Sequence, residues 1–409
     1  MDRSRLWRVR TAAVHAGHPP NPHTKASAPD IVMSTTFIID PEVSFSADAI
    51  TEETPYAYTR WGNPTVGQLE RKLAVLEGAE ECVAFASGMA AITALFLHVL
   101  KSGGHVVMSD VAYAAASELA NDTLPKLGIE VTRVDASDPQ NVSDALRPRT
   151  RLVYLESPAN PLLRLTDIET VAKIAHKTGA AVAVDSTFAT PIGTKPLELG
   201  ADFVIQSLTK YICGHGDAIG GAVSGRREDL AKLRTLAIHV GGILSPFNAW
   251  LILRGAATLP VRMATHEESA LAVARHLEEH PRVTRVIYPG LPSHPQHDLA
   301  ARQMKNFSGM VTFQVDDGPA VAHSFSERLE IIHYAVSLGH HRTLICYLPT
   351  DDLLRTSFHL TPAQEASYRG FAGDGIFRLS IGLEDPADLI ADIDKGLAPF
   401  GRSQQVVGV

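Results

Sequence analysis

From Thr65 onward the chain alternates short apolar runs with longer amphipathic ones. Residues 66–76 carry apolar side chains at helical spacing just behind Pro64, and predict a helix. Residues 82–86 predict a short strand, after which Ser87-Gly88 opens a second helix over 89–100. Strand-like runs follow at 105–108, 129–134, 152–155, 181–184, 203–205 and 220–223, most of them separated by helix-length segments such as 168–176. These short strands lack clean apolar–polar alternation, so both of their faces are expected to be covered. That pattern predicts a parallel or mostly parallel sheet between helical layers.

The rhythm differs at both ends. Residues 1–60 are rich in proline and show little periodicity, with Tyr56, Tyr58, Arg60 and Trp61 near their end. They read as an arm that packs on something, a neighbouring subunit being one candidate. Near Pro260 the pattern shifts again. A helix is predicted over 267–280, strands over 283–287 and 310–315, and a last helix over 386–397. The chain therefore divides into an arm (1–60), a cofactor-sized α/β domain (61–258) and a smaller α/β domain (259–409).

Composition narrows the classes. The 409 residues are 45% hydrophobic and 20% charged, which excludes a disordered chain. A net charge of -8 offers no general attraction to nucleic acid. The basic first residues resemble a signal n-region, but two histidines and a Pro pair follow instead of an apolar core. The longest apolar stretch, 89–97, falls far short of the roughly 20 residues a membrane span needs. Cys82, Cys213 and Cys346 are scattered, so neither a disulfide scaffold nor a structural zinc site is expected. A cytoplasmic protein without membrane or nucleic-acid partners is the expectation. His276 and His280 lie four apart but read HLEEH rather than H-E-x-x-H, so they are taken as surface histidines and no metal is expected.

Ligands of open α/β sheets bind outside the carboxyl ends of the strands. Those ends carry Ser87-Gly88, then Glu156, Ser157 and Asn160, then Asp185, then Ser207, Thr209 and Lys210. A helix opening with Ser-Gly offers free N–H groups and a positive dipole end to a phosphate. A carboxylate at a strand end can hold a protonated ring nitrogen. A lysine kept neutral by desolvation or by nearby positive charge can form a Schiff base with a carbonyl. Phosphate, ring nitrogen and aldehyde are the three handles of pyridoxal 5'-phosphate (PLP). Each feature also has a plain structural reading: a cap, a turn aspartate, a surface lysine. Their placement at successive strand ends favours the cofactor.

The run Ser207-Leu208-Thr209-Lys210-Tyr211-Ile212-Cys213-Gly214-His215-Gly216-Asp217 resembles the signature of the Cys/Met-metabolism (transsulfuration) family of fold-type I PLP enzymes. Further segments match in order. They are Tyr58-Thr59-Arg60-Trp61-Gly62-Asn63-Pro64-Thr65, Ser87-Gly88-Met89-Ala90-Ala91, Glu156-Ser157-Pro158-Ala159-Asn160-Pro161, Asp185-Ser186-Thr187-Phe188-Ala189-Thr190-Pro191 and Arg378-Leu379-Ser380-Ile381-Gly382-Leu383-Glu384-Asp385. The resemblance covers nearly the whole chain. It implies a large domain whose mostly parallel sheet is covered by helices, an N-terminal arm and a smaller C-terminal α/β domain. It implies that Lys210 carries PLP and shuttles protons, and that Asp185 pairs with the pyridinium nitrogen. Ser87, Gly88, Met89, Ser207 and Thr209 would hold the phosphate, with Tyr58 and Arg60 reaching it from the neighbouring subunit. Tyr113 would stack on the ring and act as acid or base on the leaving group. Arg378 would clamp the substrate α-carboxylate, assisted by Asn160 and Ser337. The implied assembly is a homotetramer of dimers that share active sites.

Four positions depart from the family pattern. Ser186 stands where Asn is usual. Ala114-Ala115-Ala116 follows Tyr113, where Gly and a small polar residue or Cys are common. His340-His341-Arg342 follows Ser337-Leu338-Gly339, where many members carry an acidic or small residue. Tyr347-Leu348-Pro349-Thr350 replaces a His-Pro-Ala block. The last three fall near the expected substrate side chain. The resemblance implies γ-elimination on a sulfur-containing amino acid such as methionine, giving an α-keto acid, ammonia and a thiol. γ-Replacement on an activated homoserine and β- or γ-elimination on cystathionine stay open. A non-catalytic PLP-fold binding module would predict loss of Lys210 or Asp185, and both are present.

Overall fold

Asn63 starts the first long helix, Pro64–Glu77, by accepting from the Thr65 N–H at 2.9 Å, while Pro64 fills a first-turn position that needs no donor. The chain is described here from a computed structural model covering residues 3–17, 20–21, 23–42 and 55–398; residues 43–54 of the expected arm lie outside them. Seven strands then build the large sheet among the described residues: β1 (Glu81–Phe85), β2 (His105–Ser109), β3 (Glu130–Val134), β4 (Thr150–Glu156), β5 (Ala181–Asp185), β6 (Phe203–Ser207) and β7 (Gly221–Gly225). Their order is β1-β7-β6-β5-β4-β2-β3.

Only β7 runs against the others, pairing antiparallel with both β1 and β6. An antiparallel return needs no crossover helix. The segment between β6 and β7 therefore stays at the carboxyl edge of the sheet, and it is this segment that carries Thr209 and Lys210. Both faces are covered, as the strand pattern predicts. Along β4, Leu152 and Tyr154 enter one buried cluster while Val153 and Leu155 enter another on the opposite face.

The second sheet contains β8 (Val283–Ile287), β9 (Met310–Val315), β10 (His333–Tyr334), β11 (Leu344–Pro349) and β12 (Gly375–Ser380), in the order β10-β11-β12-β9-β8. Its core is aromatic. Phe313 stacks on Phe377 at 5.2 Å between ring centroids, and Phe325 meets Phe377 edge-on at 5.1 Å. The helix on this sheet, Leu259–Glu279, starts eight residues earlier than the predicted 267, because Pro260 lies in its first turn rather than before it. β11 and β12 are absent from the sequence reading. Tyr347, Leu348 and Pro349, noted there only as a departure from a motif, are the end of β11 and pair with Phe377, Ile376 and Gly375. His276 and His280 both face Asp394, at 2.7 and 3.8 Å, and so tie this helix to the last one, Pro386–Leu397.

The early chain is less arm-like than its prolines suggest. Helix Val9–His15 buries Ala12 and Ala13 against Leu76, and Lys72 donates to the carbonyls of Ala13 and Val14. Further on, Thr65 Oγ1 accepts from Val32 N–H, and Trp250 Nε1 donates to the Pro29 carbonyl, both at 3.0 Å. Met33 and Ile38 nevertheless stay exposed.

Phe377→Ala opens a cavity in the aromatic core of the small sheet. It is expected to cost about 3–5 kcal/mol in urea unfolding.

Candidate active site

The Ser337–Gly339 turn lies directly on the backbone at Lys210. A Cβ on Gly339, whose φ is +73°, would stand 2.5 Å from Tyr211 N and 3.0 Å from Lys210 C. Gly339 N–H is held by Ser380 Oγ at 2.8 Å, at the end of β12. Ser337 itself has φ +94°, a strained value for a non-glycine residue. Its hydroxyl accepts from Lys210 Nζ at 3.0 Å, and its carbonyl accepts from Arg378 at 3.3 Å. A second Arg378 nitrogen donates to Asn160 Oδ1 at 2.9 Å. The structure thus brings Lys210, Ser337, Arg378 and Asn160 together from four separate parts of the chain. Burial, and secondarily the positive charge of Arg378, lower the Lys210 amine from its ordinary 10.5 to about 8.

Asp185 and Glu156 end adjacent parallel strands and stand side by side in register. Thr187 donates to Asp185 Oδ1 twice, from N–H at 3.0 Å and from Oγ1 at 2.6 Å. Its Oγ1 also accepts from Ser207 N–H at 2.9 Å, which links Asp185 to the end of β6. Burial raises the Asp185 carboxyl. Burial, and then the neighbouring Asp185 charge, push Glu156 up to about 8. Glu156 also grips two backbone amides, Tyr113 N–H at 2.6 Å and Asn160 N–H at 2.7 Å.

Ser87 caps the twelve-residue helix Gly88–Val99, accepting from Ala90 N–H at 3.1 Å. Among the described residues, the N–H groups of Gly88 and Met89 have no partner, as the first turn of a helix dictates. A Cβ on Gly88 would stand 3.1 Å from Ser207 Oγ, so the helix end and the Ser207 hydroxyl share one small cradle. Thr209 Oγ1 bonds the N–H and carbonyl of Gly220, both at 3.2 Å, which ties the lysine segment to the start of β7.

Tyr113 reaches this region through its backbone, and its side chain is 44% exposed. Tyr58 and Arg60 make their contacts elsewhere in the protomer. Arg60 donates to the Ile238 carbonyl at 2.6 Å and lies over the Tyr58 ring at 5.4 Å. A recess of about 750 Å³ opens beside Arg60, lined by Tyr56, Trp61, Glu70, Arg71 and Arg234 among others; Lys210, Asp185 and Arg378 do not line it.

Comparison with known proteins agrees with this geometry. The family model for Cys/Met metabolism PLP-dependent enzymes matches residues 10–398. The chain belongs to that family. It is 41% identical to an L-methionine gamma-lyase of Fusobacterium nucleatum subsp. polymorphum over 96% of this chain and 99% of that one. It is also 41% identical to the O-succinylhomoserine sulfhydrylase of Pseudomonas aeruginosa, over 95% of this chain and 94% of the relative. The crystal structure of metB from Corynebacterium glutamicum superposes with a TM-score of 0.86 at 38% identity, covering 96% of this chain and 98% of that one. The fold is accordingly that of fold-type I, and the cofactor of this PLP-dependent enzyme is pyridoxal 5'-phosphate.

The residues present suit that cofactor. A cradle with two free N–H groups and a serine hydroxyl matches a phosphate, a buried carboxylate at a strand end matches a ring N–H, and a desolvated lysine matches an aldehyde. Thr187 and Glu156 lie inside the matched motifs, but the sequence reading assigns them no role. The signal for Glu156 is available in the chain: both it and Asp185 close consecutive parallel strands, which places them side by side.

Two outcomes follow from the lysine's surroundings. Gly339→Ala should displace the turn from Lys210 and destabilise the fold by about 2 kcal/mol or more in denaturant unfolding. Arg378→Ala should raise the Lys210 pKa from about 8 part of the way toward 10.5, burial being the larger cause. Competitive acetylation of Lys210 across pH, read by mass spectrometry, measures that shift.

Proposed function

We propose that this enzyme eliminates the γ-substituent of a sulfur-containing amino acid such as methionine, releasing an α-keto acid, ammonia and a thiol. The observation that carries the reading is a half-buried lysine of lowered pKa, joined through Ser337 to an arginine that Asn160 also holds. In this reading Ser87, Gly88, Met89, Ser207 and Thr209 hold the cofactor phosphate and Asp185 holds the ring nitrogen. Bound PLP supplies the electron sink that lets an amino acid give up its Cα proton. Arg378 orients the substrate carboxylate with donors that remain beyond those held by Asn160 and Ser337. Lys210 Nζ takes the Cα proton, since near neutral pH a pKa of about 8 leaves a usable neutral fraction. Tyr113 would stack on the bound ring and handle the proton of the departing group.

γ-Replacement on an activated homoserine is the second reading, because a sulfhydrylase is as similar in sequence as the lyase. The lyase is preferred for its fuller match, 99% of the relative against 94%. The assembly proposed is a cytoplasmic homotetramer of dimers, each lending Tyr58 and Arg60 to its neighbour's site. Support comes from the exposed Met33 and Ile38, and from Tyr58 and Arg60 contacts that lie elsewhere in the protomer. The division into arm (1–60), cofactor domain (61–258) and C-terminal domain (259–409) belongs to the same reading. No helix among the described residues is long and apolar enough to cross a membrane.

L-Methionine, cystathionine, and O-acetylhomoserine with a thiol should be incubated with the holoenzyme, and keto acid and thioether both assayed. Keto acid and ammonia from methionine are expected. Thioether from O-acetylhomoserine, without keto acid from methionine, would move the assignment to replacement. Purified protein should be yellow and Lys210→Ala should lose that band. Arg60→Ala should weaken PLP retention about tenfold, the scale of one charge-assisted hydrogen bond; unchanged retention in a dialysis assay would remove Arg60 from the phosphate site.

A further inference from the structure

His340 shares the Ser337 hydroxyl with Lys210. Its Nε2 lies 3.3 Å from Ser337 Oγ, and Ser337 Oγ lies 3.0 Å from Lys210 Nζ. The direction of these bonds follows from the groups. A lysine ammonium can only donate, so Ser337 accepts from it. The serine's own hydrogen is left to point at His340 Nε2, which places the imidazole proton on Nδ1. The ring is held against Gly216, where a Cβ would stand 2.7 Å from His340 Cε1. His340 and Lys210 are both half-buried, and burial is the first cause that lowers each pKa. Three hydrogen-bonding groups, Lys210, Ser337 and His340, thus stand in series, the last of them half-buried.

We propose that His340 is a positioning and relay residue that passes protons between Lys210 and solvent through the Ser337 hydroxyl. In the outward direction an Nζ–H bond breaks as Ser337 Oγ takes that proton. The Ser337 O–H proton passes to His340 Nε2, and the imidazolium releases its Nδ1 proton to water. No oxidant or further reactant is consumed. The charged and titratable neighbours suit a ring that rests neutral. Lys210 and Asp217 face it from the β6–β7 segment and His341 adjoins it on its own, with His215 against His341 at 5.7 Å. Burial first, then Lys210 and His341, lower its pKa, and Asp217 raises it. The inference rests on Lys210 being the base, but not on which bond the enzyme breaks later.

The test therefore uses L-norleucine, which has no leaving group at Cγ. Exchange of its Cα hydrogen for deuterium is followed by proton NMR with the holoenzyme in D2O. His340→Ala should slow exchange about tenfold or more, with the visible band of the bound cofactor unchanged, and added imidazole should restore most of the loss. His340→Gln should stay slow and unrescued, since an amide can bond Ser337 but cannot carry the proton. Wild-type exchange in His340→Ala, or a loss that imidazole does not repair, would overturn the proposal. A second readout needs no turnover. In the cofactor-stripped full chain, the pH midpoint of His340 modification by diethyl pyrocarbonate should rise in Lys210→Ala, because coupling between two titrating groups is reciprocal. An unmoved midpoint would also overturn the relay. If wild-type holoenzyme exchanges nothing, it is Lys210's role as base that fails, while the modification midpoint still judges the coupling.

Discussion

The site depends on one close approach, that of the Ser337–Gly339 turn to the backbone at Lys210 and Tyr211. It seats the small sheet's loop on the lysine loop of the large sheet with no room for a side chain between them. From it follow the burial of the amine, the placing of the Ser337 hydroxyl, and the nearness of Arg378. The strain at Ser337 is held in place by that same packing, and by the Ser380 bond to the Gly339 amide. The large sheet supplies the lysine, and the small one supplies part of its cover and the like positive charge of Arg378.

Carboxylates divide the labour on the other side of the site. Asp185 and Glu156 are adjacent in register, and two like charges so close in a buried place cannot both be ionised cheaply. Thr187 stabilises the ionised form of Asp185 with two donors, while Glu156 spends its oxygens on the amides of Tyr113 and Asn160. One buried carboxyl therefore fixes both the segment that bears Tyr113 and the residue that steadies Arg378. Cofactor half and substrate half are coupled through Glu156.

The sheet's single antiparallel strand has a related consequence. Because β7 turns straight back beside β6, the lysine-bearing segment never leaves the carboxyl edge, and Thr209 staples it to Gly220. Gly88 and Ser207 then meet in the same place, from strands β1 and β6 separated only by β7. His340, a departure from the family pattern, enters through the small sheet's loop and meets the Ser337 hydroxyl that Lys210 also bonds.

Much was legible in the residues themselves. Periodicity located the strands of the large sheet, and the helix Ile168–His176, to within a residue or two at most ends, since buried parallel strands are short apolar runs bounded by turn residues. The motif order placed Lys210, Asp185, Ser87 and Ser207 at one edge of one sheet. The resemblance anticipated the family that the comparisons then showed. Local pattern could not reveal the antiparallel sense of β7, the pairing of β11 with β12, or the folding of helix Val9–His15 onto Leu76, since each is settled by residues far away in the chain. Nor could it reveal what Glu156 and Thr187 hold. A residue's type and spacing determine what it can do chemically; which amide, amine or guanidinium stands within bonding distance, and how much water remains around it, is decided only when two sheets close on each other.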